Sequence, residues 1–129
     1  MSDNTGIIQL SGGLMQAFSQ GAININIMPR DILVLECLVA GTSFRNLKTV
    51  EPELLNKVKL ELVREVKNEF DKFAVALHFN NKKIGYIPKD KNETIARLMD
   101  AGKSFLSIVE AKELEGNWLK IEIKVYLKD

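Results

Sequence analysis

From Trp118 to Leu127 the chain alternates without a break: Leu119, Ile121, Ile123 and Val125 stand between Lys120, Glu122, Lys124 and Tyr126. Successive side chains on a strand point to opposite faces, so this pattern requires a strand with one face in a core and one in water. A helix built from the same residues would scatter its four branched apolar chains around the axis. A strand of this kind cannot bury its face alone and needs a sheet.

The rest of the chain offers the partners. Ile32 to Ala40 reads as a buried strand ending at Gly41, and Val58, Leu60 and Leu62 alternate with Lys59, Glu61 and Val63. Phe73 to Phe79 and Lys83 to Ile87 read as strands joined at Asn80-Asn81 with Lys82, and Pro88 stops the second. Ser104 to Ala111 precedes the final strand across a loop containing Gly116-Asn117. Two pieces break the β pattern. Val50 to Leu55, with Pro52, suits a turn or short helical piece. Asn92 to Ala101 predicts a helix with Ile95, Leu98 and Met99 on one face and Gly102 as C-cap. The expected fold is all-β with one main α-helix, a small barrel of about six strands, since closure removes exposed edges.

Residues 1–30 differ in composition and are read as an N-terminal extension to a domain spanning 31–129. Asp3 is the only charged side chain before Arg30. After a frayed Met1 to Thr5, Leu10 to Phe18 suggests a short helix ending near Gly21, and Ile23-Asn24-Ile25-Asn26-Ile27 a strand. Its apolar face has no charged neighbour, so it is expected to be covered, within a monomer or across a homodimer.

Enzyme constellations are mostly absent. The chain has one cysteine, Cys37, and one histidine, His78, too few for a Cys/His metal site. Cys37 reads as a small buried apolar thiol, and His78 as a solvent-facing or satisfied strand histidine. No phosphate-cradling glycine loop, nucleophile elbow or zinc-protease helix is found. Glu65, Glu69 and Asp71 lie close together, but the basic residues among them favour an internally paired turn over acid–base chemistry. The expectation is a binding module without cofactor or metal. A net charge of +1 carries no global polyanion signal, so any such site must be local. No apolar window of membrane-spanning length and no basic secretory start is seen, and the lone cysteine fits a reducing cytoplasm.

Two runs could form a local site. One is Phe44 with Arg45, at the end of an apolar strand. The other is Lys67, Asn68, Phe70 and Asp71, in a turn between two β-patterned runs. Exposed aromatics stack on bases, while cations and amides hold phosphate oxygens. A carboxylate repels phosphate but accepts a hydrogen bond from a hydroxyl, such as a strand terminus. The alternatives are core packing for each ring and capping of the turn by Asp71.

These residues, with Val39-Ala40-Gly41-Thr42-Ser43-Phe44, Leu62-Val63-Arg64-Glu65 through Asp71-Lys72-Phe73-Ala74-Val75, and Ile84-Gly85-Tyr86-Ile87-Pro88-Lys89, resemble the HIRAN domain over about residues 32 to 127. That domain occurs at the N-terminus of helicase-like transcription factors and related fork-remodelling translocases, and as small stand-alone bacterial proteins. The resemblance implies an OB-like β-barrel that captures the 3′ end of single-stranded DNA, in repair or replication-fork processing. By position, Phe44 and Phe70 match aromatics that flank the terminal bases, Asp71 the acid that senses the 3′-hydroxyl, and Asn68 an amide beside it. Lys89 matches a phosphate-contacting lysine, and Ser43, Arg45, Lys67 and Tyr86 complete the expected nucleic-acid-binding set. Eukaryotic members carry arginine where Ser43 stands and tyrosine at both Phe44 and Phe70. Trp118 is the nearest candidate for the family's additional aromatic. No ATPase motif is present, so remodelling would fall to a separate helicase or nuclease partner. The alternative reading is a protein-protein interaction domain that keeps the barrel without the nucleic acid site.

Overall fold

The computed structural model describes residues 30–128. The helix and strand expected within the first 29 residues lie outside the described residues. Six strands form one antiparallel sheet in the order β1-β6-β5-β2-β3-β4. They are β1 (Ile32–Leu38), β2 (Lys59–Arg64), β3 (Val75–Phe79), β4 (Lys82–Tyr86), β5 (Phe105–Glu115) and β6 (Trp118–Leu127), with helix α1 (Glu93–Asp100) between β4 and β5.

The sheet curls until its two outer strands meet. Just beyond β1, the Ala40 amide donates to the Tyr86 carbonyl at 2.8 Å and the Tyr86 amide returns a bond to Ala40 at 2.9 Å. That single bridge joins the β1 side to β4 and gives the small OB-like half-barrel its closure. Gly85 is what permits it. A Cβ there would sit 2.5 Å from both the Ala40 carbonyl oxygen and Val39 Cγ1, so no other residue fits without moving backbone.

The alternation in β6 sorts as the pattern requires. Leu119, Ile121, Ile123 and Val125 are buried and join Leu60, Val75, Leu77 and Ile84 in the core. Asn80 and Asn81 both take positive φ, 48° and 69°, the conformation of a two-residue hairpin turn that twists with its strands. α1 ends in a glycine-terminated motif: Lys103 N–H donates to Leu98 O, Gly102 N–H to Met99 O, and Gly102 adopts φ 94°. Cys37 is buried, and burial pushes its thiol up to about 11.

Three expectations need correction. β1 is not buried along its length: Ile32, Leu33 and Val34 are exposed, and burial reaches the strand only at Cys37, toward the end that the Ala40–Tyr86 bridge closes against β4. β3 begins at Val75 rather than Phe73, since Ala74 closes the preceding loop by donating to Asp71 O. His78 is half-buried rather than solvent-facing, and among the described residues its enclosed Nε2 has no hydrogen-bond partner.

Candidate functional site

Residues 65–74 connect β2 to β3, and their backbone is held by polar side chains rather than by a core. Asn68 Oδ1 accepts from the amides of Phe70 at 2.8 Å and Asp71 at 3.0 Å. Asp71 Oδ1 accepts from the Phe73 amide at 2.9 Å. Arg64 clasps the returning limb, donating to Ala74 O and Lys72 O, and forks onto Asp100 at the end of α1 at 3.0 and 3.2 Å. With its backbone fixed from beneath, Phe70 projects from the loop and stands 88% exposed.

Asp71 Oδ2 accepts from Asn92 Nδ2 at 2.7 Å. Asn92 heads α1 but makes no side-chain cap there; its amide, 1% exposed, is given to Asp71 instead. Lys89 Nζ reaches the Phe70 carbonyl at 3.2 Å. Around them opens a cleft of about 620 Å³ lined by Asn68, Phe70, Asp71, Lys72, Phe73, Lys89 and Asn92, together with Glu69, Asp90 and Glu93. Four carboxylates against two lysines make its rim acidic.

Beneath the loop sits a second polar cluster. Glu65 Oε1 accepts from Asn68 Nδ2 at 3.1 Å and from the Tyr86 hydroxyl at 2.8 Å, while Oε2 pairs with Lys83 Nζ at 2.6 Å. Lys83 also donates to the Tyr86 hydroxyl at 3.0 Å. Burial pushes the Glu65 carboxyl up, but hydrogen bonds from Lys83, Asn68 and Tyr86 outweigh it and hold the group below its ordinary range. The Glu65 hydrogen bond raises Lys83 in turn.

The other run forms a short 3₁₀ turn, Thr42–Phe44, anchored by the buried Thr42 hydroxyl donating to Leu119 O at 2.6 Å. Ser43 is exposed, and Phe44 is 89% exposed. Arg45 follows, its guanidinium 5.9 Å from the centre of the Tyr86 ring, with Lys83 Nζ at 5.0 Å.

The expected residues therefore fall into linked groups. Asn68, Phe70, Asp71 and Lys89 share the cleft. Tyr86 joins them through Glu65, and Arg45 lies against Tyr86. Ser43 and Phe44 project from the neighbouring turn, and Lys67 is exposed on the loop but does not line the cleft. Trp118 is part-exposed beside Leu119, the residue that anchors Thr42. Sequence reasoning did not assign site roles to Glu65, Lys83 or Asn92. Asn92 carried a signal, a polar residue at a helix start, but that signal points to capping and not to a carboxylate twenty-one positions away. Phe44 and Phe70 are both surface residues, which removes core packing as the explanation for either ring.

Comparison with known proteins adds three findings. The sequence profile described as the HIRAN domain matches residues 32–128. Two solved structures share the fold. A crystal structure of a protein from Lactobacillus plantarum superposes with a TM-score of 0.68 at 22% identity, covering 75% of this chain and 94% of that one. The crystal structure of the HIRAN domain of human HLTF gives 0.58 at 18% identity, covering 77% and 81%. No curated protein matches the sequence.

Proposed function

The chain belongs to the HIRAN domain family, a family of nucleic-acid-binding modules, and on that footing we propose that it binds single-stranded DNA, with the cleft beside Phe70 receiving a 3′-hydroxyl end. One observation carries the reading. Phe70, 88% exposed, projects beside a carboxylate and a lysine, an arrangement that costs solvation and serves no packing purpose. A terminal base would stack on Phe70, and the Asp71 carboxylate, with lone pairs beyond the two already used, would accept from the hydroxyl. Lys89, Lys67 and Arg45 would meet phosphates, and Phe44 and Tyr86 would carry the next part of the strand, with Ser43 beside them. The acidic rim suits a chain end, which brings few phosphates, better than a continuous strand.

The family is a binding domain and not a catalytic one, so the role proposed is recognition: marking DNA ends in repair or fork processing for a separate helicase or nuclease. Among the described residues no helix is long and apolar enough to cross a membrane, and no group of acidic, histidine or cysteine side chains could hold a metal ion. The acidic rim also favours a second reading, in which the cleft takes a basic protein segment.

Fluorescence anisotropy with matched oligonucleotides bearing a 3′-hydroxyl, a 3′-phosphate or no free 3′ end tests the proposal. The expected order places the 3′-hydroxyl first. Equal affinity for all three overturns end recognition, and no binding to any of them leaves the protein-partner reading.

A further inference from the structure

We infer that Glu65 is a positioning residue for the ligand edge formed by Phe70 and Asp71, an inference that rests on the binding reading above. An ionised carboxylate can only accept hydrogen bonds. Because Glu65 Oε1 faces Asn68, the Asn68 amide must turn its NH₂ toward Glu65. Its carbonyl oxygen is thereby left facing the amides of Phe70 and Asp71. The opposite flip would set donors against donors at the loop amides and acceptor against acceptor at the carboxylate.

The same oxygen takes the single hydroxyl proton of Tyr86, so that hydroxyl must accept from Lys83. Tyr86 is also the residue whose backbone closes the barrel against Ala40. One carboxylate, its side chain 22% exposed, thus sets the aromatic loop in register with the closing strand. Glu65 does not line the cleft, so it acts through Asn68 and Tyr86 rather than by touching ligand.

Glu65→Gln probes this because glutamine offers one acceptor and one donor group. With its oxygen toward Asn68 and Tyr86, its NH₂ opposes the Lys83 ammonium. Turned around, it forces Asn68 to flip and breaks the two loop amide bonds. Lys83→Met removes the conflict and lets the glutamine oxygen face Asn68 freely.

Binding of a short fluorescein-labelled oligothymidylate with a free 3′-hydroxyl should fall about tenfold in E65Q, a difference of about 1.4 kcal/mol. E65Q/K83M should bind as tightly as K83M alone, a non-additive cycle that a purely destabilising role would not produce. Wild-type affinity in E65Q, or simple addition of the two losses, overturns the inference. Amide NMR of the unliganded proteins separates it from the functional reading. The Phe70 and Asp71 amide resonances should move in E65Q and return in E65Q/K83M, whether or not any oligonucleotide binds. If they stay put in E65Q, Glu65 does not position the loop.

Discussion

Both oxygens of Asp71 are already engaged, one by the Phe73 amide and one by Asn92. The capping role considered from sequence is therefore real, and hydroxyl recognition would use the lone pairs left over. Asp71→Asn keeps the size but places an NH₂ against either the Phe73 amide or the buried Asn92 amide. The substitution should lower stability by about 1–2 kcal/mol, read as a fall in thermal midpoint, whatever the function. The ratio of affinities for 3′-hydroxyl and 3′-phosphate ends is the discriminating quantity. If Asp71 reads the hydroxyl, that ratio should shrink, through about 1–2 kcal/mol weaker hydroxyl binding and relaxed repulsion of the phosphate. An unchanged ratio with lowered stability would leave Asp71 as a cap only. Phe70→Ala should behave oppositely, weakening both ends alike by about 1–3 kcal/mol with little change in midpoint, because the ring stacks without reading the terminus and is exposed.

Among the elements, β4 bears the tightest constraint. Its Gly85 faces the Ala40 carbonyl and the Val39 side chain at a distance no Cβ tolerates, and the flanking Tyr86 makes the bridge that closes the sheet. Gly85→Ala should destabilise the domain by about 1–3 kcal/mol, measured by chemical unfolding, since backbone on both strands must shift to admit one methyl. An unchanged midpoint would mean that the closing pair is softer than its geometry implies. The sequence announced Gly85 only as part of the Gly-Tyr-Ile-Pro run; its reason appears once β1 and β4, far apart in the chain, are side by side. The Asn80-Asn81 turn and the Gly102 terminus were readable beforehand because both depend on neighbouring backbone alone. The burial of β1 was misjudged for the converse reason. An apolar run says that a strand is able to be buried, whereas the closure of the sheet, at the Ala40–Tyr86 end of β1, decides which part of it is.

At the scale of the whole molecule the charge is nearly balanced, so the DNA binding proposed above must rest on a few local contacts. Affinity should fall with salt along a shallow slope, about −0.7 per phosphate contact for a single strand, and the contacts expected are Lys67, Lys89 and Arg45. Anisotropy titrations that give the same affinity at low and high salt would rule out a phosphate-bound mode. The exposed Ile32, Leu33 and Val34 of β1 follow in sequence the extension that carries Ile23, Ile25 and Ile27. We propose that the apolar face of this extension is covered, in the same subunit or across a homodimer. Deleting residues 1–29 should then lower solubility or change the oligomeric mass seen by light scattering. A truncated protein with unchanged mass, solubility and stability would show the extension to be dispensable.

What residue order determined alone is the set of strands, the helix and their inward faces. Period-two and period-3.6 patterns, asparagine turns and a terminal glycine act over a few residues, and burial follows the pattern wherever the sheet has a neighbour on that face. Residue order also carried the Asn68–Asp71 motif, and with it the family. Only the tertiary structure decided which polar groups meet. Asn92 leaves its own helix to hold Asp71, Glu65 joins Asn68 to Tyr86, and Arg64 ties the loop to α1. These partners are separated along the chain, and hydrogen-bond geometry is satisfied in space with no periodic trace in sequence. Folding alone brings the closing strand and the head of the helix each within 3 Å of the loop, and the candidate site consists of that meeting.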